Sequence, residues 1–425
     1  MKRVLICIRS FNDFDQALPI IDYIVNVSKN TVSIWSFEEK LDGCQDHLKY
    51  LNNNLGLQVE NLYENLSKIS KNILRLHSFL AKISSKSTKY PLLIPITILV
   101  SKTRTIFNYF FRIGYSKLFR QYSFDVIMVD TGMDSTIHGQ NILLSAKEQD
   151  ICSIGYAHGY SIYSNYNSVQ KGKVRHGKMK SLVLKLAKPT IKRSIYADYY
   201  LTAKGQVFAQ FKKSHASGHY SPSELYRVRE IGMPRYTYEW NKKYRENVLN
   251  NQTFSYGNDG KLNVVLFMSH PQYNVIVDNL YLLIDKLFSL SNINFVYKPH
   301  TRKGLHLINS KYLKGFDASE VSSVLLSEWA DIGIVYGSSI GFQLLIDNVP
   351  LIIPTFVHSN KTIFESDGVS VVVNSIGKFT ELMSKSKPEI ENMVDKNKVN
   401  DFILSTIYGS DKGNMMKNYC SFLKI

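Results

Sequence analysis

Short runs of β-branched and aliphatic residues alternate along this chain with longer stretches in which apolar residues recur every three or four positions. The first pattern predicts buried strands and the second amphipathic helices. Residues 4–8 form such a run, a polar turn starts at Arg9, and residues 17–27 carry the helical spacing. A second run lies at 31–35, and from 51 to 119 the pattern is mainly helical, broken near 90–95. Strand patterns resume at 125–129, 152–156, 199–203 and 228–231, with a helical one at 137–149.

The alternation restarts after a polar stretch at 241–260 rich in Asn, Lys and Gly. Strand patterns at 263–268, 294–298, 332–335 and 350–354 are separated by helical ones at 275–290, 321–329 and 341–347, and 414–423 reads as a last helix. Repeated strand-to-helix transitions predict parallel sheets, with sites at the C-terminal ends of the strands. A length of 425 residues exceeds one ordinary core. The expected fold is therefore α/β, with two Rossmann-like domains facing a cleft. Residues 1–240 form the first, with a basic helical insertion at about 51–120. Residues 241–262 are read as a linker, 263–408 as the second domain, and 409–425 as a C-terminal helix packing back on the first.

Composition narrows the function classes. Hydrophobic residues at 44% and charged ones at 20% place the chain among globular proteins. The formal net charge of +17 asks for an anionic partner: nucleic acid, anionic lipid or phosphorylated small molecules. Between Glu64 and Asp125 there are eleven Lys and Arg residues and no acidic one, with aromatic and aliphatic residues interleaved. That pattern suits a helix lying in an anionic membrane surface. A solvated helix whose apolar stripe faces its own core has the same period, so the sequence leaves both open. The apolar start lacks a signal-peptide cleavage site, and the longest later apolar run, 91–100, is half of the about 20 residues a spanning helix needs. Cys7, Cys44, Cys152 and Cys420 are scattered without a CxxC pair, as suits reduced thiols. The expected location is the cytoplasm, with peripheral attachment to the inner membrane face where the basic region engages it.

Chemistry concentrates at predicted strand ends. Gly337-Ser338-Ser339-Ile340-Gly341 lies between a strand and a helix, where hydroxyls and backbone N–H groups converge as a phosphate cradle. Lys298-Pro299-His300, with Arg302 close behind, ends another strand of the same sheet and adds cationic donors for pyrophosphate. Ser269-His270-Pro271 adds a third polar turn to that rim. In the first half, His158 sits between Ala157 and Gly159, with an ordinary pKa near 6.5 that suits acid or base work. Asp130 ends the preceding strand and is placed to orient that histidine or to act as base. The same Gly337 turn matches a bare GxSxG pattern, but Asp347, His358 and Asp367 follow at spacings unsuited to a serine hydrolase.

Gly155-Tyr156-Ala157-His158-Gly159, Ile231-Gly232-Met233-Pro234-Arg235, Tyr297-Lys298-Pro299-His300, Ala330-Asp331 to Ser338-Ser339, the stretch from Gly341 through Gln343 to Pro350, and Asp411-Lys412-Gly413 occur in this order. The series resembles bacterial surface-polysaccharide transferases of the GT-B fold, especially capsule Kdo transferases and CDP-glycerol glycerophosphotransferases. It covers roughly the last two thirds of the chain. The resemblance implies a nucleotide-sugar donor held by the second domain, a glycan or lipid-linked acceptor at the first, and catalysis in the cleft. It casts His158 as the acid or base, Lys298, His300, Ser338 and Ser339 as donor phosphate contacts, and Arg235, Gly159 and Gln343 as further cleft residues. The chain departs from the pattern in reading His-Thr after Lys-Pro, and Gln343 where many relatives carry Glu.

The expected activity is glycosyl transfer from a CMP-, CDP- or UDP-linked donor, with no cofactor beyond that substrate, no metal site and no nucleic-acid partner. A nucleotide-sugar epimerase of the same fold is the rival among enzymes. A non-catalytic protein that binds a lipid surface or nucleic acid is the rival from another class.

Overall fold

A computed structural model describes residues 1–38, 41–87, 98–100, 102–103, 113–131, 136–157, 159–160, 162–164, 195–204, 222–258, 260–271, 274–300 and 308–422. Two parallel sheets organise the chain. The first contains β1 (Arg3–Ile8), β2 (Thr31–Ser36), β3 (Val59–Asn61), β4 (Val126–Asp130), β5 (Cys152–Tyr156), β6 (Tyr199–Thr202) and β7 (Val228–Glu230), in the order β3-β2-β1-β4-β5-β6-β7. The second contains β8 (Leu262–Phe267), β9 (Ile293–Lys298), β10 (Phe316–Asp317), β11 (Ile332–Val335), β12 (Leu351–Pro354) and β13 (Val371–Val373), in the order β10-β9-β8-β11-β12-β13. Every pairing is parallel, so every return path is a crossover.

Parallel strands covered on both faces need apolar side chains on both. In β1, Val4, Ile6 and Ile8 enter one core cluster while Leu5 and Cys7 enter another. In the second sheet, Val265 and Phe267 join the same cluster as Val4, and Val264 and Leu266 pack on the opposite face. One cluster thus runs between the halves through Met233, Tyr236, Phe342 and Phe402. The helix Phe11–Asn26 covers the first sheet with Phe14, Leu18, Ile21 and Ile24. All four cysteines are free thiols, three of them buried.

The sequence misses β3, β10 and β13, which are three, two and three residues long and lie at the outer ends of their sheets. An edge strand of that length carries no measurable period. Residues 241–248, read as the start of a polar linker, are helical: Tyr238–Lys243 is followed directly by Tyr244–Val248. Asn, Lys and Glu on the outer side mask Trp240, Tyr244 and Val248, which are buried. The basic region resolves, where described, into helices Gln45–Leu55, Lys68–Ser87 and Tyr115–Tyr122 with β3 among them. The C-terminal segment lies against the first half: Met233 N–H donates to the Ile407 carbonyl at 2.7 Å, and the Phe422 ring stands 5.7 Å from Tyr199.

Candidate functional site

In the first sheet the strand order reverses between β1 and β4, so the connections leaving them diverge and open a crevice beyond their C-terminal ends. Arg9 leaves β1, Asp130 ends β4, and the helix that begins at Phe11 brings Asp13 into its first turn. Asp13 Oδ2 accepts from the Arg9 backbone N–H at 2.9 Å and from its Nε at 3.2 Å. The same guanidinium donates to Asp130 Oδ2. Both carboxylates are buried, whereas the Arg9 side chain is 28% exposed. Burial alone would lower the Arg9 pKa, but Asp130 and Asp13 reverse that and hold it above its ordinary value. The trio is therefore a fixed charge device with one more carboxylate than cation.

The second sheet has the same reversal between β8 and β11. Ser269 follows β8; Tyr336 and Gly337 follow β11. Gly337 has φ +70°, and a Cβ there would lie 2.8 Å from the Tyr163 hydroxyl, 3.0 Å from His358 Nε2 and 3.0 Å from Ser269 Oγ. Glycine lets these three polar side chains converge on bare backbone. Tyr163 comes from the first half and stacks on His358, with ring centroids 5.4 Å apart at 11° and its hydroxyl 3.3 Å from Nε2. Ser269 Oγ is buried with no hydrogen-bond partner among the described residues, and the Tyr336 hydroxyl is buried against the Ser269 backbone N–H, which donates towards it. Native proteins rarely leave such a group unsatisfied, so Ser269 Oγ asks for a ligand or water. Burial pushes the Tyr336 phenol well above its ordinary value, which keeps it a neutral donor. Beside them, the His270 and His300 rings meet edge to face at 6.0 Å and 88°.

The other sequence-picked residues fall in different settings. Ser339 Oγ accepts from the Tyr236 hydroxyl at 3.3 Å, which brings the two halves together at this turn. Ser338 Oγ accepts from the Ile340 N–H at 3.4 Å. The helix behind the turn, Gly341–Ile346, has only six residues, so its dipole is short and the side chains matter more. Gly341 is required by packing, since a Cβ would lie 2.6 Å from the Phe364 ring. Lys298 spends two of its donors at 2.6 Å each on the carbonyls of Ser319 and Val321, tying β9 to the chain after β10. Burial brings its pKa down to about 8 against the pull of Glu320 and Asp317.

Arg235 and Gln343 lie in the interior. Arg235 Nε donates to Asp15 at 2.7 Å, its Nη1 lies 3.3 Å from Asn241 Oδ1, and its guanidinium sits 4.7 Å from the Tyr244 ring centroid. Gln343 donates to Asp347 at 2.9 Å, and Asp347 pairs with Arg245 at 2.7 Å. Gly159 faces open space. His158 and Arg302 lie outside the described residues. The residues that sequence reasoning passed over are Arg9, Asp13, Tyr163 and Tyr336. Arg9 and Tyr336 each directly follow a strand, which was a usable signal; Tyr163 had none.

No family model and no curated protein matches this sequence. Among solved structures, the UDP-GlcNAc 2-epimerase from Neisseria meningitidis bound to UDP-GlcNAc superposes with TM-score 0.54 at 14% identity, over 99% of this chain and 99% of that one. The glycotransferase of kitacinnamycin superposes with TM-score 0.52 at 10% identity, over 100% of this chain and 98% of that one. At these identities the likeness is one of fold. The chain has the GT-B fold: two Rossmann-like parallel-sheet domains, over its full length.

Proposed function

We propose that this chain is a glycosyltransferase of bacterial surface-polysaccharide synthesis, moving a sugar or sugar-like group from a CMP-, CDP- or UDP-linked donor to a glycan or lipid-linked acceptor. The observation that carries this reading is the pairing of two switch-point crevices of opposite chemistry, with Tyr163 and Tyr236 of the first half reaching the second. The second crevice offers the Ser269 and Tyr336 hydroxyls, Ser338, Ser339 and the imidazoles of His270 and His300. Such donors suit the phosphate oxygens of a nucleotide and the charge that grows on them as the glycosidic bond breaks. Lys298 keeps one donor for the same task, and Arg302 follows it in sequence.

The first crevice carries the carboxylates of Asp130 and Asp13 around Arg9. The two buried carboxylates outnumber the part-exposed Arg9 cation, and their net negative charge disfavours a diphosphate, which supports giving this side to the acceptor. In this reading His158, two positions after β5 in sequence, takes the proton from the attacking hydroxyl, and Asp130 at the end of β4 is the residue to orient it. The superposable structures support a nucleotide-sugar reading, since one has UDP-GlcNAc bound and the other is a glycotransferase. The sequence resemblance to capsule Kdo and CDP-glycerol transferases supports the surface-polysaccharide role.

The test is a thermal-shift panel of CMP, CDP, UDP, GDP and their sugars, followed by product analysis with and without acceptor. A shift of several degrees with one nucleotide, and turnover that requires acceptor, is the expected result. No shift with any nucleotide overturns the reading. The superposition on a 2-epimerase favours a second reading, a nucleotide-sugar epimerase. Donor conversion without acceptor would select it.

A further inference from the structure

Among the described residues, the helix Lys68–Ser87 is fastened to the first half through Ser70 and Leu74. Leu74, 1% exposed, joins the cluster of Leu5, Cys7 and Trp35, and Ser70 is buried on the same side. At 3.6 residues per turn, Ile69, Ile73, Leu76, Leu80 and Ile83 fall within a sector of about 80°, turned well away from Ser70 and Leu74. Part of that sector looks outward: Ile69 is 73% exposed, Leu76 43%, and Phe79, at its edge, 59%, while Ile73, Leu80 and Ile83 are half-buried. Lys68, Lys71 and Arg75 occupy the sector next to Phe79, and the sequence repeats the cation at 82 and 86. The period alone fits a core-facing stripe equally well. The structure separates the two cases at Ile69, Leu76 and Phe79, which stand exposed while Leu74 makes the core contact.

We infer that this face of Lys68–Ser87 is a docking surface for an anionic lipid bilayer. Apolar side chains enter the acyl boundary while the adjoining cations meet lipid phosphates. Charge decides the occupant. Eleven Lys and Arg residues lie between Glu64 and Asp125 without one acid, so a second copy of the chain would bring a like-charged helix against this one. Nucleic acid would engage the cations and leave Ile69, Leu76 and Phe79 in water. No helix among the described residues is long and apolar enough to cross a membrane, so the helix lies along the surface. The inference stands apart from the transferase reading and survives its failure.

The experiment is co-sedimentation of the full chain with vesicles of phosphatidylcholine plus phosphatidylglycerol, and with phosphatidylcholine alone, at rising salt. Binding to the anionic vesicles that salt weakens is expected. Changing Lys68, Lys71 and Arg75 singly to Gln should each lower partitioning about fivefold. Ile69→Ser with Phe79→Ser should abolish binding while leaving the melting temperature and nucleotide-induced shift intact. Phe79→Ser alone, at an exposed position, serves if the double change disturbs folding, and the salt series needs no variant. Equal binding to both vesicles, no binding to either, or binding indifferent to these changes would overturn the inference. So would a dimer in sedimentation velocity that the double variant converts to monomer.

Discussion

Tyr236 and Ser339, 103 positions apart, meet hydroxyl to hydroxyl at 3.3 Å, and the contact joins the chain after β7 to the turn after β11. The Tyr236 ring is held independently, 5.4 Å from Phe342 and 6.1 Å from Tyr160. Tyr236→Phe therefore deletes one hydrogen bond and keeps the packing. Denaturant unfolding should show a loss of about 0.5–1.5 kcal/mol. In transfer kinetics the donor KM should rise while kcat changes little.

Gly337→Ala acts on the other side of the same turn. Its φ of +70° strains any residue with a Cβ, and that atom would meet Tyr163, His358 and Ser269. A cost of about 1–3 kcal/mol in melting experiments is expected, with weaker nucleotide binding by calorimetry. A variant that binds nucleotide as tightly as the parent would mean that the turn is scaffold only.

Arg235 tests whether an interior ion pair holds the halves of the first domain. Arg235→Met leaves the largely buried Asp15 carboxylate with His47, 3.2 Å away, as its remaining ion-pair partner among the described residues. A loss of about 3–5 kcal/mol is expected by chemical denaturation.

The same pair sets a pH dependence. Burial would raise the Asp15 pKa, but Arg235 and His47 outweigh it and hold the carboxyl below its ordinary value. A depressed carboxylate contributes stability that is complete above its unfolded pKa, about 3.9, and is lost as pH falls through the folded value. The melting temperature should thus drop in acid, and Asp15→Asn should flatten that drop while costing stability at neutral pH. A parallel acid profile in the variant would remove Asp15 from the account.

His158→Ala and Ser338→Ala should each abolish transfer with the far-ultraviolet circular dichroism unchanged. Undiminished turnover in both would sink the site assignment.

The parts of the fold that were legible are those where one side of an element must be apolar. The strand at 263–268 and the helix at 275–290 appear as Leu262–Phe267 and Val277–Ser289 because Val264, Leu266, Leu280 and Leu283 have to be buried. Strand-end turns such as Ser269-His270 and Gly337-Ser338 could be picked out because parallel topology puts them on one rim. What a polar side chain does there is another matter. Arg235 and Gln343 sat in family-like motifs and turn out to be interior, since a motif fixes a backbone position and the neighbours fix the role. Tyr163 was illegible because its partner His358 lies 195 residues away, beyond any local pattern.

Tyr163 has a last consequence. It bridges backbone to backbone with Thr362, and Ser164 accepts from Ser366 Oγ at 2.7 Å, so the first half completes the walls of the second. The halves are not interchangeable modules. A second half transplanted onto a foreign first half would arrive without the tyrosine over Gly337, and chimeras made at 241–262 should bind nucleotide poorly unless 162–164 travels with them. Donor preference in such a chain has to drift by point substitution on both sides of the cleft, because shuffling whole domains would break the wall that both build.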